Sequence, residues 1–152
     1  MNKFMEEANK LAEKGFKSGD GGPFGAVIVK NGEIIARGNN KVLCSNDPTA
    51  HAEVVAIREA SKKLNTYDLS GCILYTSCEP CPMCLSAIIW ANIKEVYYAC
   101  TREDAASIGF RDELIYEFLK GNAKELIKLS NIDREDCVNN FEEYQKQHKT
   151  IY

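Results

Sequence analysis

The chain has 152 residues, a formal net charge of −3 and a hydrophobic fraction of 45%. This length and apolar content predict a single domain, residues 1–152, that buries its own core. No apolar run approaches the roughly 20 residues of a membrane span, so we expect a protein without membrane segments.

The N-terminus and the cysteines indicate a cellular location. Charged and apolar side chains alternate over the first ten residues, unlike the apolar core of a signal peptide. The seven cysteines are an odd number, scattered through strand-like and helical segments, which favours reduced thiols over a disulfide framework. We therefore expect a cytoplasmic protein.

The first third of the chain predicts a helix followed by a hairpin. Apolar residues recur at helical spacing over Phe4–Ala12, and the glycines at 19, 21 and 22 should end that helix. Two short apolar runs, Phe24–Val29 and Glu33–Gly38, flank Asn31-Gly32. This dipeptide is typical of two-residue hairpin turns.

The middle of the chain alternates helices with strands. The pattern predicts a helix over Ala50–Leu64, a strand over Cys72–Thr76, a helix over Cys81–Ala91 and a strand over Glu95–Ala99. Such a β-α-β-α-β series implies parallel strands that are covered by helices. We expect an α/β fold, a three-layer α/β/α sandwich with a central mixed sheet.

The C-terminal segment carries weaker patterns. We expect a helix over Asp112–Leu119, a last strand over Leu126–Leu129 and a terminal helix over Arg134–His148. The apolar stripe of the terminal helix includes Phe141 and Tyr144.

Two motifs carry the chemistry. His51-Ala52-Glu53 is followed by Pro80-Cys81-Pro82-Met83-Cys84. One imidazole and two thiolates balance the charge of a zinc ion and leave a fourth tetrahedral position open for water. Zinc lowers the pKa of such a water to about 7. An H-x-E motif with a later P-C-x-x-C is the signature of zinc deaminases that act on nucleobases, so the pattern predicts hydrolytic deamination.

Each motif residue then has an expected role. His51, Cys81 and Cys84 are the candidate ligands of one zinc per chain, and Glu53 is the spare carboxylate that moves protons to the ring nitrogen and the departing amine. The flanking prolines place both ligand groups near helix N-termini, where the helix dipole favours thiolates. Residues two apart in a regular helix diverge by about 200°, so His51 and Glu53 face one site only if the helix start has a suitable shape.

Cys78 extends the second motif to C-x-x-C-x-x-C, which opens a ferredoxin-type iron–sulfur run. Ile88 stands where that run requires a further cysteine. We interpret Cys78 as a small buried hydrophobic residue or a neighbour of the site, and not as a third thiolate ligand.

With these motifs the chain resembles the cytidine deaminase superfamily and, more closely, the bacterial guanine deaminases of that fold. The matching segments are residues 21–27, 45–53 and 75–84 and the terminal Tyr152. The resemblance implies zinc binding by His51, Cys81 and Cys84, proton transfer by Glu53, and conversion of guanine to xanthine and ammonia.

The resemblance also implies substrate contacts and an assembly. It assigns a hydrogen bond to the purine to Asn40, the pocket wall to Phe24 and Trp90, and a part in substrate choice to Asp112 and Tyr152. From the residues alone, the two aromatic side chains would more often be core, and the polar ones turn or cap residues. The family further implies homodimers with exchanged C-terminal segments.

Three alternatives stay open. Deamination of adenosine in transfer RNA would share the metal and the fold, but residues 120–152 contain six basic and six acidic side chains, whereas phosphate binding normally needs a basic face. Cytosine, guanosine, a triazine or a pterin is another possible substrate. A structural zinc scaffold would normally need a fourth protein ligand. The expected partner is a small purine base, not a nucleic acid.

Overall fold

The structure, a computed structural model, describes all residues, 1–152, and divides the chain into two compact units, Met1–Tyr116 and Glu117–Tyr152. The strands are Gly25–Lys30 (β1), Glu33–Asn39 (β2), Ile73–Cys78 (β3) and Glu95–Cys100 (β4). The α-helices are Lys3–Lys17 (α1), Val42–Ser45 (α2), Ala52–Leu64 (α3), Pro82–Trp90 (α4), Arg102–Ser107 (α5), Asp112–Leu119 (α6) and Arg134–Lys146 (α7). The single domain over residues 1–152 stays a prediction.

The four strands form one mixed sheet in the order β2-β1-β3-β4. β1 pairs antiparallel with both β2 and β3, and β3 pairs parallel with β4. The predicted hairpin is confirmed, because Asn31 and Gly32 have φ values of 50° and 76° and join β1 to β2. Positive φ at both central residues is what a type I′ turn requires.

Helices cover both faces of the sheet. Alternate residues of β1 enter two clusters: Ala26 and Ile28 pack with α3 and α4, whereas Val27 and Val29 pack with α1. This alternation follows from the two-residue period of a strand. The predicted three-layer α/β/α arrangement with a mixed sheet is therefore confirmed.

The close approach of α3 to β2 depends on a glycine. A Cβ atom at Gly38 would lie 2.3 Å from the carbonyl oxygen of Ala52 and 2.7 Å from the amide nitrogen of Ala56. Ala52 is the first residue of α3. Gly38 thus allows the start of this helix to lie directly against the sheet.

We expect Gly38→Ala to lower the free energy of unfolding by about 1–3 kcal/mol, the usual range for overpacking, because the backbone of α3 must move away. Urea denaturation measures the change. Arg37→Ala is the control on the same strand, since it removes only a partly exposed ion pair with Glu7 and should cost less than about 1 kcal/mol. Equal effects of the two substitutions would show that the helix–sheet contact relaxes freely.

Several expected elements differ from the observed ones. The predicted strand over Leu126–Leu129 is wrong: a 3₁₀ turn occupies Lys124–Leu126, and the following residues form no regular structure. Ile127 has an extended backbone but no strand to pair with. The sequence also gave no expectation for α2 and α5. The helix expected over Ala50–Leu64 begins two residues later, at Ala52.

None of the helices combines the length and the apolar character that a membrane-spanning segment needs.

Candidate active site

Two helix starts position the three candidate metal ligands. His51 is the N-cap of α3, and Cys81 is the N-cap of α4, with Pro82 as the first helical residue. Both caps have extended backbones, with ψ values of 156° and 167°. Because His51 lies before the helix, its direction relative to Glu53 is not set by helical rotation. This geometry explains how His51 and Glu53, which are two residues apart, can face one site.

The ligand atoms of His51, Cys81 and Cys84 lie within 4.8 Å of one another. His51 Nδ1 is 3.5 Å from the Sγ atom of each cysteine. Zinc bonds of about 2.3 Å to sulfur and about 2.0 Å to nitrogen, at a tetrahedral angle, separate those two atoms by about 3.5 Å. The three residues fit a zinc ion that is bound through Nδ1 and both sulfurs.

The electrostatics of the two thiols also fit a divalent cation. Hydrogen bonds from Cys84 and from His51 hold the pKa of Cys81 well below the usual value of a thiol. The hydrogen bond to Cys81 and burial both raise the pKa of Cys84. A second thiolate beside the first is therefore unfavourable in the protein alone, and a doubly charged cation would offset that repulsion.

Glu53 lies in the first turn of α3, with only 5% of its surface exposed. The Thr76 hydroxyl donates a hydrogen bond of 3.0 Å to its Oε1 atom. Burial raises the pKa of this carboxyl, against the effect of its hydrogen bonds. A raised pKa brings a carboxyl closer to the range in which it can both take up and release a proton.

A small cavity adjoins this group. The structure brings six of the residues that we singled out to its wall, together with Cys78 and two residues to which the sequence assigned no role. The lining residues are Phe24, Asn40, His51, Glu53, Cys78, Glu79, Cys81, Phe110 and Asp112. Cys84, fully buried, completes the metal-binding group.

Asn40 presents its amide group to the cavity. The Asn40 side chain is 4% exposed, and its Oδ1 atom accepts a hydrogen bond of 3.1 Å from the backbone N–H of Val42. The NH₂ group thus remains as a donor for a ligand. Gly21 makes room for this side chain, since a Cβ atom there would lie 2.1 Å from Oδ1.

The two lining residues that sequence reasoning missed are Phe110 and Glu79. Phe110 packs edge-on against Phe24, with ring centroids 4.8 Å apart. It follows Gly109, which has a φ of 98°, and no sequence pattern marks this loop as part of the site. Glu79 stands next to Pro80 in the second motif, and its Oε2 atom accepts a hydrogen bond of 3.0 Å from the backbone of Arg102.

Cys78, Trp90 and Tyr152 differ in their relation to the cavity. Cys78 is a neutral neighbour of the cavity: burial raises its pKa to about 12, and its thiol donates to the carbonyl oxygen of Thr101. Trp90 ends α4, is 64% exposed and does not line the cavity, so its role as a pocket wall stays a prediction. Tyr152 belongs to the second compact unit and is 72% exposed, and its part in substrate choice also stays a prediction.

Asp112 begins α6 and lines the cavity. Burial, and then the charge of Cys81, raise the pKa of its carboxyl. The residue is therefore placed where a ligand could contact it, and is not a fully solvated cap.

Comparisons with known proteins agree with this geometry. Residues 1–100 match the family described as the cytidine and deoxycytidylate deaminase zinc-binding region. Guanine deaminase from Bacillus subtilis (strain 168) is 60% identical over 122 residues, which cover 80% of this chain and 78% of that protein. The tRNA-specific adenosine deaminase of the same organism is 37% identical over 134 residues, covering 88% and 81%.

Among solved structures, the X-ray structure of guanine deaminase from Bacillus subtilis has a TM-score of 0.93 at 51% identity, and the match covers 100% of this chain and 99% of that one. The family match spans both motifs, and the structural match spans the whole chain. The chain therefore belongs to the cytidine and deoxycytidylate deaminase family of zinc-binding proteins.

Proposed function

We propose that the chain deaminates guanine hydrolytically, giving xanthine and ammonia, with one zinc held by His51, Cys81 and Cys84. The observation that carries the proposal is the buried Glu53 carboxyl beside the three converging ligand atoms, at the wall of one cavity. Guanine as the substrate is supported by the two matches that bear this name, one at 60% identity over 80% of the chain and one at 51% identity over 100% of it.

The residues divide the reaction between them. When bound, zinc supplies a water that is activated for attack at neutral pH. Glu53 takes a proton from the attacking water and gives it to the ring nitrogen beside C2 of guanine. A second proton moves through the same carboxyl to the departing amine, which leaves as ammonia. Water and guanine thus balance xanthine and ammonia.

The cavity wall provides groups that suit a flat heterocycle. Phe24 and Phe110 form an aromatic pair against which a planar base can pack. The Asn40 amide can donate to a ring nitrogen or carbonyl oxygen, and Asp112 can accept from an N–H group. We infer that Asn40 contacts the purine directly, and that Asp112 helps to select it.

We expect Asn40→Asp to lower kcat/KM for guanine by roughly 10- to 150-fold, which corresponds to about 1.5–3 kcal/mol for a lost hydrogen bond and an unmatched polar group. Aspartate keeps an acceptor for the Val42 N–H but replaces the donor that faces the ligand. Steady-state ammonia release measures the change. Asn65→Asp makes the same change at the exposed C-cap of α3 and should leave kcat/KM unaltered. Equal kinetics of the two variants would remove Asn40 from substrate binding.

A substrate screen tests the proposed reaction. Purified zinc-loaded protein is incubated separately with guanine, guanosine, adenine, cytosine, cytidine and a transfer RNA anticodon stem, and ammonia is measured. We expect release from guanine above all others. Release from the RNA stem and not from guanine would favour adenosine deamination. Inertness towards every compound, with zinc bound, would favour a structural zinc scaffold.

We also propose a homodimer with exchanged C-terminal segments. In the first unit, β4 is an edge strand, and the apolar side chains of Leu85, Ile89, Tyr97 and Tyr98 are exposed on α4 and β4. In the second unit, α7 has no buried residue, and Phe141 is 76% exposed. Exposed apolar groups of this size are typical of interfaces.

Light scattering during gel filtration tests the dimer, which should have twice the chain mass of 17.0 kDa. Ile89→Glu should shift the protein towards the monomer, because it places a charge on the apolar face. A wild-type protein that stays monomeric at micromolar concentrations would contradict the proposal.

We further infer a cytoplasmic location, since all seven cysteines are free and thiolate ligands persist best in a reducing compartment.

A further inference from the structure

Thr76 is a buried polar residue on an otherwise apolar face of β3. Side chains of β3 alternate, so that Tyr75 packs with α1 whereas Leu74 packs with α3 and α4. Thr76 shares the face of Leu74 and is fully buried. A hydroxyl in such a position costs free energy unless it is hydrogen-bonded, and valine has the same shape without that cost. The role of this hydroxyl therefore depends on the group to which it is hydrogen-bonded.

That partner is Glu53. The Thr76 hydroxyl donates to Oε1 of Glu53 across 3.0 Å, and this is its hydrogen bond in the structure. The bond joins β3 in the sheet to the first turn of α3, so it ties the carboxyl to the most rigid layer of the fold. It occupies one carboxyl oxygen and leaves Oε2 for other partners.

The Thr76 hydroxyl keeps this role when the metal is bound. A cysteine that serves as a metal ligand is a thiolate, which has no proton to donate, so Cys84 cannot orient Glu53 as a donor. Thr76 is the side-chain donor to the Glu53 carboxyl in the structure.

We propose that Thr76 is a positioning residue for proton transfer: its hydroxyl fixes the rotation of the Glu53 carboxyl and holds Oε1 as an acceptor, so that protons pass through Oε2. The inference rests on the proposed function, in which Glu53 moves protons between water and the base. It adds a residue from outside both sequence motifs that supports the chemistry without contacting the substrate.

The test compares Thr76→Val, which removes the hydroxyl at constant shape, with Thr76→Ser, which keeps it. We expect Thr76→Val to lower kcat by roughly 10- to 100-fold, the usual effect of losing a partner that orients a site residue, with zinc per chain unchanged. KM for guanine should change by less than about twofold, because the lost interaction acts on the chemical step. Thr76→Ser should recover most of the wild-type kcat.

Ser77→Ala is the matched control. Ser77 is also buried, and its hydroxyl oxygen accepts a hydrogen bond of 3.0 Å from the backbone N–H of Gly25, away from Glu53. Loss of this hydroxyl should lower the melting temperature about as much as Thr76→Val does, while kcat stays at the wild-type value. A purely structural role of Thr76 would make the two variants alike in both measurements.

Two outcomes would overturn the inference: a wild-type kcat in Thr76→Val, or a kcat in Thr76→Ser as low as that in Thr76→Val. Crystal structures of the wild type and of Thr76→Val provide a readout without turnover, in which the Glu53 carboxyl should rotate or become disordered. A wild-type protein that is inert towards guanine overturns the proposed function alone, because these structures still decide whether the hydroxyl orients Glu53. An unchanged carboxyl orientation refutes the inference.

Discussion

Replacement of Glu53 by glutamine is expected to leave one zinc per chain and to lower kcat by about 10²- to 10⁴-fold, the range supplied by general acid–base catalysis. Glutamine has the size of glutamate and an oxygen that can still accept the Thr76 hydrogen bond. It has no proton that titrates near neutral pH, so it cannot carry protons from water to the base. Zinc analysis and steady-state ammonia release from guanine measure the two quantities.

Glu59→Gln provides the control for this experiment. Glu59 lies on the same helix at an exposed position, so its replacement changes the net charge equally without approaching the cavity. Its kcat should equal that of the wild type. Full turnover in Glu53→Gln would remove Glu53 from the mechanism, whereas loss of zinc would show that the carboxyl belongs to the metal site.

Sequence patterns predicted most elements, because the helices repeat apolar residues at helical spacing and the strands β1 and β3, which are covered on both faces, are nearly continuous buried runs. The shape of the helix start before Glu53 was beyond that reasoning. The His51 N–H donates to the carbonyl oxygen of Thr49, and the Lys41 N–H donates to the carbonyl oxygen of Ala50. These contacts shape the loop between β2 and α3, and residue periodicity contains no information about them.

Some residues of the cavity wall were predicted from the sequence, and others were not. Asn40 and Phe24 were singled out through family resemblance, whereas Phe110 comes to the wall through a loop that no pattern describes. A signal was present for α5, because the side chains and backbone of Thr101 and Asp104 form a capping box. For the strand predicted over Leu126–Leu129, the sequence pattern was present but the strand was not. An apolar run becomes a strand only where another strand can pair with it.

Replacement of Cys84 by serine is expected to reduce zinc to well below one per chain and to lower turnover at least as far as Glu53→Gln does. A serine hydroxyl stays protonated at neutral pH and is a poor ligand for zinc, so the site loses one of its two negative charges. Cys84 is fully buried, which leaves little room for water to replace the missing sulfur. Added zinc should then raise the melting temperature of the wild type but not that of the variant.

Cys78→Ser separates loss of a ligand from loss of any cysteine in this region. Cys78 is buried, and its thiol donates to the backbone of Thr101, outside the group of three ligand atoms. The variant should keep one zinc per chain, because the atoms of His51, Cys81 and Cys84 stay in place. Loss of zinc from Cys78→Ser would make Cys78 a ligand, and full zinc content in Cys84→Ser would show that Cys84 is not one. Either result would change the ligand set of His51, Cys81 and Cys84 on which the proposed mechanism depends.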